Sequence, residues 1–582
     1  MGKWDLSDLY RGFDEHYEKD LKEVEALVSD LKNYIMYQKQ ETDQAYIEGY
    51  LRKEEELTRL IRSLASFASL TMATNVNDAT APKYLAKLQN ILRGATAEEV
   101  IFQRYLTTVD LDRLAKGSKL MTTYLYQLKR SQDDAKHLLS EKEELLYAKM
   151  REYASGGWGQ LQSLTTANLD VKYNDETITL SEVRNLAYDK DKMVRKNAYE
   201  AELKAYEQIE DQVALALSNI KREVVTINEL RGYQSPLQKT LNQSHMQTET
   251  LIAMIEAMMD YREHFAAYLK AKAEALGHQK GLPFYDLFAP VGSLDKTYTF
   301  EEAQKIIKDA FYGYSKRLGD FATEAFNKHW IDVYPQKGKR GGAFCSNQPQ
   351  LKQSRIMLNF TGSLSDVLTL AHELGHGYHG EIIAALRPLH WSYPMPLAET
   401  ASIFCETIVN QYLLKTFTND EEKLSVLENS LQGDTQVIID ILSRYLFETK
   451  IFENAKGPIH KSQMKAWMVD AQKEAYTDGL DPDILHPYMW LNKGHYYSSG
   501  LNFYNFPYAF GLLFGKGLYA KYLEDPEHFL ESYDKLLALT TQTSVEEVGA
   551  SMGIDVTDKA FWHQSLSQIK QDIDEVIALL KK

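Results

Sequence analysis

The spacing of apolar residues predicts α-helices through most of this chain. Near the start, apolar positions three and four residues apart form one helix face, with Glu, Lys and Asp between them: Leu21, Val24, Leu27, Val28, Leu31 and Ile35. The first 282 residues contain only two prolines, Pro82 and Pro236, so few helix breakers interrupt this half. The pattern therefore predicts a mainly α-helical protein.

Two stretches interrupt the helical pattern. The run Gly156-Gly157-Trp158-Gly159 is followed by segments 170–173 and 177–180, which surround Asn174-Asp175 and predict a small hairpin. We expect a boundary here, between an N-terminal helical region at 1–165 and a second region at 166–582. A zone with Pro and Gly from 281 to 349 then precedes an alternating, strand-like segment at 356–360.

Helices are expected to resume between these interruptions and again at the end of the chain. The pattern predicts helices from about 186 to 276. The closing segment has one apolar face, formed by Ile569, Ile573, Val576, Ile577 and Leu580. We expect an amphipathic helix there.

Charge and composition exclude several classes of protein. The chain of 582 residues has 66 Lys and Arg against 82 Asp and Glu, a formal net charge of −16 that disfavours binding to nucleic acid. Two cysteines exclude a disulfide-dense secreted scaffold. The first residues lack the pattern of a signal peptide, and the chain has no run of eighteen apolar residues. We therefore expect a cytoplasmic protein without a membrane partner.

The strongest chemical signal is His372-Glu373-Leu374-Gly375-His376. Ser363 and Asp366 form a capping pattern and Pro388 follows, which predicts a helix over about 364–387. Histidines four residues apart project from one helix face and can bind one zinc ion, with Glu373 beside the open position. The alternative is a pair of helix-face histidines in an ion pair without a metal.

A third zinc ligand is expected downstream. The segment 394–399 resembles a helix start, and Glu399 and Glu406 lie seven residues apart on one face of that helix. Glu399 is the predicted third ligand. Glu406 lies about two turns further on, and we expect it to hydrogen-bond a ligating imidazole. The alternative for Glu406 is a partly buried ion pair.

The residues after the motif exclude one large class of zinc peptidase. A metzincin requires Gly at position 379 and His at 382, where this chain has His379 and Ile382. His379 lies about 10 Å along the helix from His372. We expect a core histidine, or one that supports a ligand, rather than a ligand.

Together these residues resemble the oligoendopeptidase F group of the thimet-oligopeptidase-like zinc peptidases. The resemblance covers most of the chain and rests on segments 4–10, 194–199, 285–290, 338–344, 367–379 and 397–406. It implies an almost wholly helical, elongated body split by a deep substrate channel, with a small β-sheet beside the motif helix. The second region, 166–582, would then be the catalytic one.

The resemblance also implies the roles of the site residues. His372, His376 and Glu399 would bind one zinc ion per chain, Glu373 would be the general base, and Glu406 would support a ligand. The group carries a late cluster of His and Tyr that faces the scissile carbonyl. Here that cluster corresponds, in falling order of expectation, to His495, Tyr508, Tyr504 and Tyr497. The alternative for each tyrosine is an aromatic core residue with a satisfied hydroxyl.

The predicted function is therefore zinc-dependent hydrolysis of internal bonds in short, unfolded oligopeptides. The strand-like segment 355–360 would offer an exposed edge for an extended peptide, unless it is an internal strand. The chain lacks the G-x-M-E-N signature of zinc aminopeptidases, which favours endopeptidase activity. The alternatives are a zinc carboxypeptidase of similar helical architecture and a non-catalytic peptide-binding protein with a structural zinc. The sequence leaves the oligomeric state open.

Overall fold

The computed structural model describes residues 2–37, 42–292 and 296–582 and confirms a mainly α-helical fold. The first part contains nine helices in the described residues: α1 Glu15–Tyr37, α2 Asp43–Thr74, α3 Ala81–Arg93, α4 Thr96–Leu106, α5 Leu111–Ala115, α6 Lys119–Thr123, α7 Leu125–Ala135, α8 Glu141–Tyr153 and α9 Ser155–Ala167. The predicted face of α1 is confirmed, because Leu21, Val24, Leu31 and Ile35 are buried.

A hairpin and a second set of helices follow. They are β1 Asp170–Tyr173, β2 Glu176–Thr179, α10 Leu180–Asn185, α11 Lys192–Tyr206, α12 Glu210–Leu230, α13 Pro236–Gln243 and α14 Thr248–Ala275. The hairpin is confirmed, with Val171 opposite Ile178 in an antiparallel register. The predicted helices between about 186 and 276 are confirmed as well.

The zone between 281 and 363 combines helices and a small sheet. It contains α15 Phe300–Tyr314, α16 Lys316–Asn327, β3 Ile331–Asp332, β4 Phe344–Gln348 and β5 Gln353–Met357. In the sheet order β3-β5-β4, β5 is parallel to β3 and antiparallel to β4. The rest of the chain, all of it described, contains a long irregular segment at 477–505 and nine α-helices: α17 Leu364–Ala384, α18 Thr400–Thr416, α19 Asp420–Thr435, α20 Ile441–Asn454, α21 Lys461–Tyr476, α22 Phe506–Glu524, α23 Pro526–Leu539, α24 Val545–Ala550 and α25 Lys559–Leu580.

Two expectations from the sequence are wrong. The run Gly156-Gly157-Trp158-Gly159 does not break a helix but lies inside α9. A Cβ atom on Gly159 would lie 2.7 Å from the carbonyl oxygen of Tyr497, so this glycine permits a close approach between segments. The segment 355–360 is not an exposed edge, because β5 is the central strand of its sheet and β4 lies at the edge.

Apolar side chains form two large clusters. One gathers residues between Leu9 and Leu128, and the other gathers residues between Leu169 and Val576. The predicted division at residue 165 stays a prediction. Across the described residues, no helix is both long enough and apolar enough to cross a membrane.

Candidate metal centre and active site

Helix α17 presents the two motif histidines from one face. At its start, the Ser363 hydroxyl accepts the Asp366 backbone N–H at 3.1 Å, and the Asp366 carboxylate accepts the Ser363 N–H at 3.1 Å, which completes the predicted capping box. The imidazole rings of His372 and His376 lie 4.9 Å apart. The helix ends at Ala384, three residues short of the predicted end.

Glu399 closes the group from a second element. The two prolines at 394 and 396 give a short 3₁₀ turn, so α18 starts only at Thr400 and Glu399 is its N-cap residue rather than an internal helix position. One carboxylate oxygen of Glu399 lies 3.2 Å from Nε2 of His372 and 3.3 Å from Nε2 of His376. The Ser402 hydroxyl donates to the same oxygen at 2.8 Å.

These three side chains fit a zinc ion. Zinc bonds to imidazole nitrogen and carboxylate oxygen are about 2.0–2.1 Å long, so two ligands of a tetrahedral ion lie about 3.3–3.4 Å apart. The observed separations are 3.2 and 3.3 Å, and all three ligand atoms lie within 4.8 Å of one another. His372, His376 and Glu399 therefore have the spacing of a zinc ligand set.

The charges around His372 also favour a cation. Burial alone would lower the pKa of His372, yet its hydrogen bonds to the Glu399 and Glu406 carboxylates raise that pKa well above the usual range. Glu406 reaches the ring from the side opposite to Glu399, with its carboxylate oxygen 3.2 Å from Nδ1. Glu406 can thus fix the tautomer and orientation that leave Nε2 free for a metal.

A glycine inside the motif allows this arrangement. A Cβ atom on Gly375 would lie 2.5 Å from the Ala401 carbonyl oxygen and 2.6 Å from Cα of Ser402. Since real Cβ atoms do not approach backbone atoms so closely, only glycine lets α18 pack this tightly on α17. The close packing brings both Glu399 and Glu406 to His372.

Glu373 projects from the same helix toward the sheet. It is buried, and one of its carboxylate oxygens has no hydrogen-bond partner among the described residues. Burial raises the pKa of this carboxyl group, and the positive charge that His372 can carry opposes that shift. Its neighbour Cys345 lies on β4 and is a free cysteine, as is Cys405 on α18. Neither cysteine belongs to the ligand set.

Three polar aromatic side chains contact one another near Glu399. The hydroxyl groups of Tyr504 and Tyr508 lie 2.7 Å apart, and the ring of His495 stacks on Tyr504 with centroids 5.3 Å apart. Burial raises the pKa of Tyr508, and the Tyr504 hydroxyl and the charge of Glu399 add to the rise. Tyr508 therefore keeps its proton and can donate a hydrogen bond.

Helix α22 brings Tyr508 to the ligand set. Gly511 lies one turn after Tyr508, and a Cβ atom on Gly511 would lie 2.6 Å from Cβ of Glu399. The missing side chain lets α22 rest directly against Glu399. A glycine in the interior of an apolar helix was the available signal for this contact, but its partner could not be read from the sequence.

The protonation state of His495 follows from two neighbours. Arg444 donates to the amide oxygen of Asn505 at 3.2 Å, which turns the Asn505 NH₂ group toward Nε2 of His495, 3.0 Å away. Nε2 then accepts a hydrogen bond and the ring proton lies on Nδ1. Burial, with nearby positive charges, lowers the pKa of His495 to about 3, so the imidazole is neutral.

The other predicted site residues lie elsewhere. The Tyr497 side chain is buried and its hydroxyl donates to the Trp490 carbonyl oxygen at 3.3 Å, which is the environment of a core residue. Nε2 of His379 faces the Thr540 hydroxyl at 2.8 Å, and its ring stacks on Tyr393 with centroids 4.2 Å apart. His379 is therefore a core histidine.

Buried charges that the sequence analysis missed hold the loop before α22. The ammonium group of Lys221 donates to the Glu448 carboxylate at 2.8 Å and to the Asn502 amide oxygen at 2.9 Å, and both charged side chains are buried. Glu448 also accepts the Phe503 backbone N–H at 2.9 Å. Phe503 has a positive φ of 50°, so this ion pair stabilises a strained turn next to Tyr504. Helical periodicity contains no signal for such a pair.

Known proteins match this chain over its full length. A family model described as "Peptidase family M3" matches residues 185–568, and one described as "Oligopeptidase F" matches residues 107–170. Oligopeptidase PepF of Bacillus subtilis is 23% identical over 100% of this chain and 87% of its own length. Group B oligopeptidase PepB of Streptococcus agalactiae is 24% identical over 100% of this chain and 97% of its own length.

Solved structures show the same fold. Oligoendopeptidase-F of Enterococcus faecium superposes with a TM-score of 0.70 at 19% identity, over 97% of this chain and 99% of that one. PZ peptidase A, solved with an inhibitor, gives a TM-score of 0.74 at 15% identity, over 98% of this chain and 99% of that one. The family model covers more than half of the chain and includes every residue of the candidate site. This protein therefore belongs to peptidase family M3.

Proposed function

We propose that this protein is a zinc-dependent endopeptidase that hydrolyses internal bonds of short, unfolded oligopeptides. One observation carries the proposal: the ligand atoms of His372, His376 and Glu399 have the separations of a zinc site. Beside them, Glu373 is buried and has one carboxylate oxygen without a hydrogen-bond partner among the described residues. The names of the curated relatives and the family support oligopeptide substrates. The deep channel and the cytoplasmic location remain predictions.

The bound zinc would supply Lewis acidity to a water molecule and to the peptide carbonyl. Glu373 is the proposed general base. Its free oxygen can accept a proton from the attacking water, and the raised pKa lets it pass that proton to the leaving amine. Glu406 holds His372 in the tautomer that binds metal.

The three polar aromatic side chains near Glu399 are suited to stabilise negative charge on the carbonyl oxygen. Tyr508 keeps its proton and is close enough to Glu399 to feel its charge, and the neutral His495 has its Nδ1 proton free of the Asn505 contact. Donors aligned in advance contribute about 3–4 kcal/mol of transition-state stabilisation when they face the developing oxyanion. Tyr504 lies between them and holds the hydroxyl of Tyr508. Tyr497 has no part in this proposal.

An extended substrate can pair with β4. The edge strands of this sheet are β3 and β4, and the N-terminal segment already pairs beside β3, where Val333 donates its backbone N–H to the Gly2 carbonyl oxygen at 2.8 Å. The outer edge of β4 is therefore the one that we propose to add a peptide beside α17. The side chain of Asn347 on β4 donates to the His376 carbonyl oxygen at 3.1 Å, so this edge is fixed to the motif helix. Most backbone N–H and C=O groups of a folded protein are already paired, so an unfolded oligopeptide is the favoured partner for this edge.

The test is the variant Glu373→Gln, measured for zinc content and for hydrolysis of a quenched fluorescent peptide blocked at both ends. We expect unchanged zinc content and loss of hydrolysis. The matched control is Glu381→Gln on the same helix, where the carboxylate faces Arg317 at 3.4 Å; hydrolysis should persist. If Glu373→Gln keeps full activity, Glu373 is not the base.

The same assay separates the alternatives. A carboxypeptidase needs a free C-terminus, so cleavage of the doubly blocked peptide by the unmodified protein excludes that function. A non-catalytic peptide-binding protein with a structural zinc would bind zinc and cleave no peptide. Cleavage inside the blocked peptide is the outcome that we expect.

A further inference from the structure

A separate cavity lies beside the segment that precedes His495. It has a volume of about 140 Å³ and is enclosed by α10, α11, the turn at 284–288, α20 and the segment 486–493. Much of its wall is aromatic, with Tyr188, Tyr199, Tyr285 and Phe288. A cavity of about 150 Å³ is known to hold a benzene ring, so this space fits the side chain of one residue.

Three of the four cationic side chains in its wall have acidic partners. Arg195 donates to Asp286 at 2.7 Å, and both are buried. Arg444 pairs with Asp440. Arg184 lies 3.6 Å from the Glu202 carboxylate. These pairs leave no spare carboxylate in the wall of the cavity.

Lys493 is the fourth cation, and its charge is not matched. No carboxylate of the described ranges lies within 4.0 Å of its ammonium group. Burial lowers the pKa of Lys493 to about 8, and the nearby charge of Arg444 adds to that shift, while the carboxylates of Asp440 and Glu202, which lie beyond 4.0 Å, oppose it only in part. Such an ammonium group favours an anionic ligand.

A chain of hydrogen bonds links the wall of the cavity to the proposed active site. Lys493 precedes His495 by two residues, and Arg444 in the cavity wall donates to Asn505, which contacts His495. A group bound in the cavity therefore contacts a wall that is linked through Asn505 to His495, the side chain that we place at the scissile carbonyl. The most direct occupant is part of the same substrate.

We propose that this cavity binds a carboxylate of the peptide substrate at Lys493, with an apolar side chain against the aromatic wall. The inference rests on the proposed function and names a substrate class for it. A carboxylate can come from the C-terminus or from an acidic side chain. A C-terminal residue carries both the carboxylate and an apolar side chain, whereas the volume of the cavity admits only one residue.

The test compares three N-terminally blocked peptides with one cleavable core: a C-terminal acid ending in Phe, its amide, and an amide with Glu in place of that Phe. We expect kcat/KM to be about tenfold higher for the acid than for the Phe amide, because the acid should have the lower KM. If kcat/KM rises equally for the Glu amide, the cavity accepts the carboxylate of an acidic side chain. Equal values for all three peptides overturn the inference.

The variant Lys493→Met should remove the preference by lowering kcat/KM for the acid about tenfold and leaving the Phe amide unchanged. Lys493→Arg should keep the preference. Lys280→Met is the control, because this lysine is exposed and pairs with Asp483 at the surface. An equal loss for acid and amide in Lys493→Met would mean a structural role and would overturn the inference.

The failure of this inference is distinct from failure of the proposed function. Hydrolysis of the Phe amide alone supports the endopeptidase. If no peptide is cleaved, the carboxylate site can still be tested by titration calorimetry of the intact protein with N-acetylphenylalanine and with its amide. Tighter binding of the acid that is lost in Lys493→Met supports the carboxylate site, and equal binding overturns it.

Discussion

Replacing Gly511 by alanine tests how α22 positions Glu399. The added Cβ would lie 2.6 Å from Cβ, 3.2 Å from Cγ and 3.5 Å from Cα of Glu399. Those atoms belong to the start of the side chain and to the backbone, so rotation about the side chain cannot relieve the contact. Carbon atoms pack best at about 3.5–4.0 Å, and α22 and the segment before α18 must therefore separate by about 1 Å.

This displacement is large compared with the tolerance of the site. Metal ligands keep their distances within about 0.2 Å, and a misplacement of about 1 Å near the reacting atoms costs about a hundredfold in rate. We therefore expect Gly511→Ala to weaken zinc binding and to lower kcat/KM about a hundredfold. Overpacking should also lower the free energy of unfolding by about 1–3 kcal/mol.

The assay combines zinc competition with a chelator, hydrolysis of a quenched peptide and equilibrium unfolding. Gly313→Ala is the matched control, because Gly313 is an exposed helical glycine of α15 with no atom within 4 Å of a new Cβ. Its free energy of unfolding should rise by up to about 1 kcal/mol, with unchanged activity. If Gly511→Ala keeps its zinc affinity and its kcat/KM within twofold of the unmodified protein, the contact with Glu399 does not position the ligand.

Three further predictions test other parts of the molecule. Glu406→Gln should lower zinc affinity about 10- to 100-fold in chelator competition, because His372 loses its charged partner; unchanged affinity would refute that role. Burial lowers the pKa of His245 to about 4, so its contribution to stability falls as the pH drops from about 6.5 to 4. Asparagine tolerates the φ of 53° at this position, so His245→Asn should flatten the pH dependence of the free energy of unfolding between about pH 4 and 6.5. Lys221→Met should lower the free energy of unfolding by about 3–5 kcal/mol by leaving the Glu448 carboxylate buried and unpaired, and Lys221→Met with Glu448→Met should recover part of that loss.

The sequence allowed the metal-binding candidates to be predicted because their spacing is local. His372 and His376 share a helix face by periodicity alone, and the capping box that starts α17 is formed by neighbouring residues. Glu399 was predicted as the third candidate on the face of a helix, whereas the structure places it at the N-cap, since two prolines delay the start of α18 until Thr400. The sequence therefore predicts which side chains are candidates, but it does not predict the backbone conformation around Glu399.

The parts that could not be predicted depend on contacts between distant segments. Apolar alternation identified a strand near β5, but strand order decides which edge is open, and β3 pairs with β5 from far outside the alternating segment. The glycines in α9 were interpreted as a break between helices. Gly159 is instead needed inside the helix because the Tyr497 carbonyl oxygen approaches it. In each case the residue type indicated that the position is unusual, but the sequence did not show which distant residue it contacts. The same reasoning applies to Lys493, whose missing counter-charge becomes visible only when the partners of the neighbouring arginines are known.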